Sequence, residues 1–353
     1  MDDTMDINAL FHSPIIQGPM AGGPSTAELA AAVSNAGALG SVACSLLAPA
    51  TITGTAARLR ALSDRPFMLN FFVQPTPQPS EQEIDRAEAL LRPIWSSLGW
   101  DHLPRPASWC QDFDAQFTTL LDIKPAVASF TFDILSREQV ARLHAAGILV
   151  IGTVTTVAEG LAWQEAGADS VVASGVEAGG HRGTFIGRQE EATLTSRELW
   201  PAVAQALTIP VIAAGGIMDG ADVREALALG AVAVQMGTAF LVTDEAGTHP
   251  AHRARLLAHG DAHAPQTTRL TRSFSGRYAR GLENRFMREM AAVEAQFPAY
   301  PVQNALTGAI RAEAAKNNDA ELMSLWAGTG VARTRAMPAG ELVRTLINEM
   351  QQV

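Results

Sequence analysis

Residues 177–183 read EAGGHRG and follow the apolar run SVVAS, so a histidine arrives two glycines after what reads as a buried strand. Glycine reaches backbone turns closed to residues with a Cβ. Gly179 and Gly180 therefore let the chain leave the strand end sharply and hold the His181 ring over it. An imidazole in that place, with an ordinary pKa of about 6.5, can accept a proton or hydrogen-bond an anionic substrate.

Two more glycine turns point to an anion. AAGGI places Gly215 and Gly216 after one apolar run, and QMGTAF places Met236, Gly237 and Thr238 after the next. Bare N–H groups at such turns, with a helix starting near Gly220, form a cradle for phosphate. Neither turn matches the G-x-G-x-x-G of dinucleotide-binding folds or a P-loop. Amides are the other signal: Asn70 lies inside MLNFF and Gln235 inside VQMG. Burying an amide without partners costs on the order of a few kcal/mol, so both are expected to face a ligand. The pyrimidine edge of a flavin, with its alternating donors and acceptors, matches what an amide offers.

These residues sit at the ends of a repeating pattern. Apolar runs rich in Val, Ile and Ala occupy 13–20, 38–44, 65–73, 124–132, 147–154, 168–175, 209–217 and 231–240. They are continuous rather than alternating, as parallel strands covered on both faces require. Helical patterns with Ser or Thr caps stand between them and close on Gly37, Gly147, Gly167 and Gly230. Eight strand–helix units predict an α/β fold, a (β/α)8 TIM barrel, in preference to a doubly wound open sheet. Strand C-termini form the active-site rim of such a barrel, which is where His181 and the glycine turns fall. Lys124 opens the fourth run.

Two places break the rhythm. Residues 74–123 hold more chain than one helix needs, including QPTPQPS, the helical EQEIDRAEALLRPIW and the linker DHLPRPAS. An insertion after strand three is expected to overhang the catalytic face. From Thr243 onward, ENRFMREMAAVEAQF and PAGELVRTLINEMQQ are helical patterns without strand rhythm. The expected division is a barrel over 1–242 and a mainly helical cap over 243–353, its last helix packing back on the barrel.

Composition narrows the function. The 353 residues are 47% hydrophobic and 18% charged, enough for a large core. A net charge of −10 without clustered Lys and Arg argues against nucleic acid and favours a small-molecule partner. No apolar run of about 18 residues occurs, and the start MDDTMDINALF is acidic, so a cytoplasmic protein is expected rather than a membrane or exported one. Cys44 and Cys110 lack metal or redox spacing and are expected to be buried free thiols. His249, His252, His259 and His263 cluster without Cys or regular carboxylate spacing, which reads as a solvated helix and turn rather than a metal site. YPVQN (300–304) and WAGTG (326–330) are expected to pack the cap on the barrel, with Tyr300 in reach of a substrate.

In the order QGPMAGG, MLNFF, VASFTF, VASGVEAGGHRG, IPVIAAGGI, VQMGTAFL, YPVQN and LWAGTG, the motifs resemble the class I bacterial nitronate monooxygenases, formerly 2-nitropropane dioxygenases. The resemblance spans nearly the whole chain. It implies FMN held by the backbone around Met20 and Gly22, by Asn70 and Lys124, and by Ser174 and Gly179. It sets the phosphate against Gly215, Gly216 and the Gln235, Met236, Gly237, Thr238 stretch, and makes His181 the catalytic residue. It implies that an alkyl nitronate such as propionate 3-nitronate is oxidised with O2, through FMN and without nicotinamide, to a carbonyl compound and nitrite or nitrate. Thr131 and Tyr300 are the substrate-side positions, and the assembly is a monomer or homodimer.

Three positions depart from many relatives, which carry His at Thr131, Gln at Ser174 and Gln at Thr329. The first removes a second imidazole, and the second shortens a flavin contact. An FMN-dependent NAD(P)H enoyl-ACP reductase shares the glycine–histidine loop, but this acidic chain suits an acidic carrier protein poorly. A flavin-binding barrel without turnover is a further alternative. IMP dehydrogenase-like chemistry needs a loop cysteine, and Cys44 comes too early in strand order.

Overall fold

The computed structural model describes residues 13–258 and 267–352. The central strands are β1 (Ile15–Gln17), β2 (Gly40–Ala43), β3 (Phe67–Phe72), β4 (Val127–Thr131), β5 (Leu149–Val154) and β6 (Ser170–Ser174). After a two-residue strand β7 (Gly180–His181) that belongs to another sheet, β8 (Val211–Ala214) and β9 (Ala233–Met236) complete the set. All neighbours are parallel, in the order β1-β9-β8-β6-β5-β4-β3-β2. The parallel bridge Ile16↔Leu39 brings the lead-in to β2 against β1 and closes the ring. The fold is the (β/α)8 barrel expected, and its eight strands are the eight apolar runs.

Side chains alternate along a strand, so one phase of each run points into the ring. Ile16, Met68, Val127, Ile151, Val172 and Ile212 form that inner cluster, while Ile15, Leu69, Ala128, Val150, Val171 and Ala213 pack toward the helices. Following the inner phase along each strand reaches Asn70 on β3, Ser129 and Thr131 on β4, Thr153 on β5, Ser174 on β6 and Gln235 on β9. The barrel is therefore apolar at its base and polar at its C-terminal rim, a gradient written in the same alternating positions.

The eighth helix of the ring comes from the far end of the chain. Helix Ala339–Gln351 packs against helices Ala27–Asn35 and Gly220–Ala228. Its Glu349 accepts the Gly220 N–H at 2.9 Å. Between β9 and that helix lie helices Pro250–Leu257, Arg285–Met290, Val302–Leu306 and Gly308–Lys316, and also a hairpin, β10 (Thr268–Thr271) with β11 (Ala279–Leu282). The hairpin was not legible as strand, since TRLT and ARGL are short, partly charged and lack an apolar run. The insertion packs on the cap: Ile84, Leu91 and Ile94 of helix Glu81–Ser97 share one apolar cluster with Phe274, Phe286 and Leu306. Among the described residues no helix is long and apolar enough to cross a membrane.

Candidate active site

A cavity of about 780 Å³ opens at the C-terminal rim under the cap. Strands six, eight and nine deliver their loops to this one space: His181 and Gly179 line it, as do Gly215 and Gly216, and Gln235, Met236, Gly237 and Thr238. Met20 and Gly22 reach it from β1, Asn70, Thr131 and Ser174 from their strands, and Tyr300 from the cap. Lys124 is the exception and a correction. It ends helix Phe113–Ile123 in a left-handed conformation, φ 52°, is exposed, and precedes β4. A residue that opens a barrel strand lies at the rim opposite the one that closes it, so Lys124 cannot touch a ligand in the cavity.

The floor is a polar ladder across neighbouring strands. Asn70 Nδ2 donates to Ser129 Oγ at 3.0 Å and to Ser129 O at 3.3 Å, with Thr131 Oγ1 at 3.4 Å. Thr131 Oγ1 meets Thr153 Oγ1 at 3.2 Å. The amide nitrogen is thus engaged inside the wall, and Asn70 lines the cavity with its carboxamide oxygen given no donor by these bonds. Gln17 does a different job. Fully buried, it accepts the Ser41 N–H at 2.9 Å and donates to Ser25 Oγ, which in turn accepts the Met20 N–H at 2.7 Å and shapes the loop after β1.

The turn after β8 needs its glycines. Gly215 has φ 115° and Gly216 φ 76°, and a Cβ on Gly215 would lie 2.6 Å from Ser196 Oγ. Behind the turn, Glu177 accepts from Ser196 N at 2.8 Å and Ser196 Oγ at 2.7 Å. Among the described residues the N–H groups of Gly216 and Gly237 find no protein acceptor. WAGTG joins this region: Gly328 N donates to Thr238 Oγ1 at 2.9 Å, and Trp326 lines the cavity.

The two glycines before His181 have separate reasons. Gly180 takes φ 75°, whereas a Cβ on Gly179 would fall 2.5 Å from Gly328 N, so bare backbone must pass there. Gly180 and His181 then pair as β7 with Arg280 and Ala279 of β11. His181 Nε2 lies 2.8 Å from Ser275 Oγ. That hydroxyl donates to Arg277 O at 3.0 Å, so its oxygen is the acceptor and Nε2–H the donor, which leaves the Nδ1 lone pair free. Phe132, Tyr300 and Trp326 surround the half-buried ring, with centroids at 5.4, 5.5 and 5.5 Å. Burial, then the charges of Arg277 and Arg311, push the imidazole down to about 3. At neutral pH it is an uncharged hydrogen-bond acceptor, and not a cation for an anionic substrate.

Sequence reasoning missed several supports. Arg182 is buried, with Nη1 donating to Ser174 O at 2.9 Å and Gly175 O at 2.6 Å, and so fixes the end of β6. Ser275, Thr153 and Arg311 carried no local signal. His252, read as part of a solvated helix, is 6% exposed and lines the cavity with Thr248 and His249. Burial, then His249 and Arg255, push it down to about 4. His259 and His263 lie outside the described residues. Among the described residues no group of His, Cys, Asp and Glu could hold a metal. Cys44 is free and buried, its thiol pushed up to about 12, but Cys110 is free and only half-buried.

Comparison with known proteins decides the family. The family model for nitronate monooxygenase matches residues 5–349. A probable nitronate monooxygenase of Bacillus subtilis is 40% identical over 340 residues, which cover 96% of this chain and 95% of that protein. The chain belongs to the nitronate monooxygenase family. A probable nitronate monooxygenase of Staphylococcus aureus (strain Newman) is 37% identical over 345 residues, covering 96% and 95% of the two chains. Among solved structures, a nitroalkane oxidase from Streptomyces ansochromogenes superposes with TM-score 0.89 at 42% identity, covering 97% of both chains. FabK from Thermotoga maritima superposes with TM-score 0.73 at 27% identity, covering 97% of this chain and 93% of that one. This nitronate monooxygenase family member is an oxidoreductase.

Proposed function

We propose that the chain is an FMN-dependent monooxygenase that oxidises alkyl nitronates, such as propionate 3-nitronate, with O2 to a carbonyl compound and nitrite or nitrate. The observation that carries this reading is the meeting of three features in one cavity: the positive-φ glycine turns, the Asn70 carboxamide and the uncharged His181.

The residues present fit FMN. N–H groups of Gly216 and Gly237, without protein acceptors among the described residues, suit a phosphate, whereas the start of helix Gly220–Ala228, expected to share in the cradle, is already capped by Asp219 and Glu349. Asn70 and Gln235 would meet the pyrimidine edge, and Met20, Gly22, Ser174 and Gly179 would flank the ring. FMN held there would supply the one-electron chemistry between substrate and O2. His181 Nδ1 would stand beside the substrate as an uncharged hydrogen-bond acceptor, with Ser275 holding the ring in register. Thr131 and Tyr300 bound the substrate space, and Phe72 and Trp326 limit water within it. The barrel at 1–242, the cap at 243–353, a cytoplasmic location and a monomer or homodimer belong to the same proposal.

The test mixes the FMN-treated protein anaerobically with propionate 3-nitronate and, separately, with NADPH, following flavin absorbance. Change with the nitronate alone, and oxygen uptake with nitrite release in air, is the expected result. Bleaching by NADPH alone would favour an enoyl reductase, and failure to take up FMN would end the proposal.

A further inference from the structure

The cavity is nearly free of charge. Among the described residues lining it, Arg311 is the single Lys, Arg, Asp or Glu side chain. It projects from cap helix Gly308–Lys316, one turn beyond the segment that carries Tyr300 and Asn304. Nη2 donates to Asn304 O at 2.6 Å and Oδ1 at 3.1 Å, and Nε is buried without a partner. None of the ion pairs among the described residues includes Arg311. Burial pulls the guanidinium down to about 10, and the ionisable neighbour that favours its charge is Tyr300 rather than a carboxylate.

A guanidinium withdrawn from bulk water without a countercharge is costly to keep, and the protein supplies none. Of the histidines that line the same space, His181 and His252 are uncharged at neutral pH, and His181 offers an acceptor; no carboxylate lines it among the described residues. A nitronate and a carboxylate are both planar anions with two oxygens, the shape a guanidinium fork binds through paired hydrogen bonds.

We propose that Arg311 anchors the anionic group of the substrate and sets specificity: the cavity takes ligands bearing a planar two-oxygen anion, nitronate or carboxylate, and rejects their neutral isosteres. This deepens the proposed function and rests on it for the reacting group, while anion binding itself can be tested without turnover.

Calorimetry on the FMN-loaded full chain with 3-nitropropionate and its neutral counterpart 1-nitropropane provides the test. The wild type is expected to bind the carboxylate roughly 20-fold or more tightly than the neutral compound, a gap that one charged hydrogen-bonded pair supplies. Arg311→Gln, which can still donate to Asn304, is expected to erase that gap. Gly308→Asp gives an independent check. A Cβ at Gly308 meets nothing within 4 Å, and an aspartate one turn before Arg311 would supply the missing countercharge. It should abolish the preference with the arginine still present.

Steady-state rates with R311Q then separate the two anion sources. A fall in kcat/KM for propionate 3-nitronate and propyl-1-nitronate alike assigns the anchor to the nitronate. A fall confined to the former assigns it to the carboxylate. Equal affinity of the wild type for 3-nitropropionate and 1-nitropropane overturns the proposal, as does an unchanged preference in folded R311Q or G308D. If the chain oxidises no nitronate, the functional reading fails and the calorimetry still decides the role of Arg311.

Discussion

Replacing Ser275 with alanine isolates what holds His181 in its working form. The hydroxyl accepts Nε2–H at 2.8 Å while spending its own proton on Arg277 O at 3.0 Å. Without it, a half-buried N–H inside a cage of Phe132, Tyr300 and Trp326 loses its acceptor. An unsatisfied donor of this kind costs about 1–3 kcal/mol. The ring can escape that cost by turning or by moving its proton to Nδ1, and either removes the free lone pair from the cavity. With about 1.4 kcal/mol per tenfold in rate, kcat should fall roughly 10- to 100-fold. KM should change little, because the substrate keeps its other contacts. The assay is oxygen uptake with propionate 3-nitronate, normalised to bound flavin, for S275A and for Ser275→Thr, which restores a hydroxyl and most of the rate. Wild-type kcat in S275A would refute the reasoning. A drop that tracks lost folding or flavin, with normal kcat per flavin, would reduce Ser275 to a structural role.

Gly215→Ala forces a Cβ into φ 115° and to within 2.6 Å of Ser196 Oγ. It should weaken FMN binding at least roughly tenfold in a flavin titration, since the turn must shift; full flavin retention would contradict the assigned cradle. Lys124→Ala, at the far rim, should leave flavin content and kcat within about twofold of wild type, as exposed substitutions usually do; loss of flavin would reinstate the lysine as a contact. His181 at about 3 and His252 at about 4 both sit below the ordinary histidine value. The unfolded chain therefore binds more protons, and their stabilisation is present above about pH 6.5 and lost as pH falls toward 4. For His252 the shift corresponds to about 3 kcal/mol at about 1.4 kcal/mol per pH unit. Urea unfolding of wild type and His252→Leu at pH 7 and about pH 4.5 should show a shallower loss in the variant, and parallel losses would contradict it.

What the sequence revealed and what it hid divide along physical lines. Continuous apolar runs marked all eight barrel strands, because burial on both faces imposes that composition locally. The glycine turn at 215–216 was visible because its positive φ demands the residue where it stands, whereas Gly237 takes φ −98° and leaves room for a Cβ. Partners brought from afar were not visible. Ser275 is 94 positions from His181 and reaches it only because β11 pairs with β7. Arg311 looks like any surface arginine on a polar helix until the cap folds it over the rim. Lys124 was misplaced by treating both ends of an apolar run as equivalent, although chain direction separates them by the length of the barrel. Trp326 and Gly328 were expected as packing, and the close approach of Gly328 to Gly179 is what draws them into the site.

The most direct test of the account is a crystal structure of the protein grown with FMN. The phosphate should accept hydrogen bonds from the N–H groups of Gly216 and Gly237, the pyrimidine edge should meet the Asn70 oxygen, and His181 Nδ1 should face the space beside the ring. FMN bound away from these turns, or a His181 ring whose Nδ1 points into the wall, would contradict it.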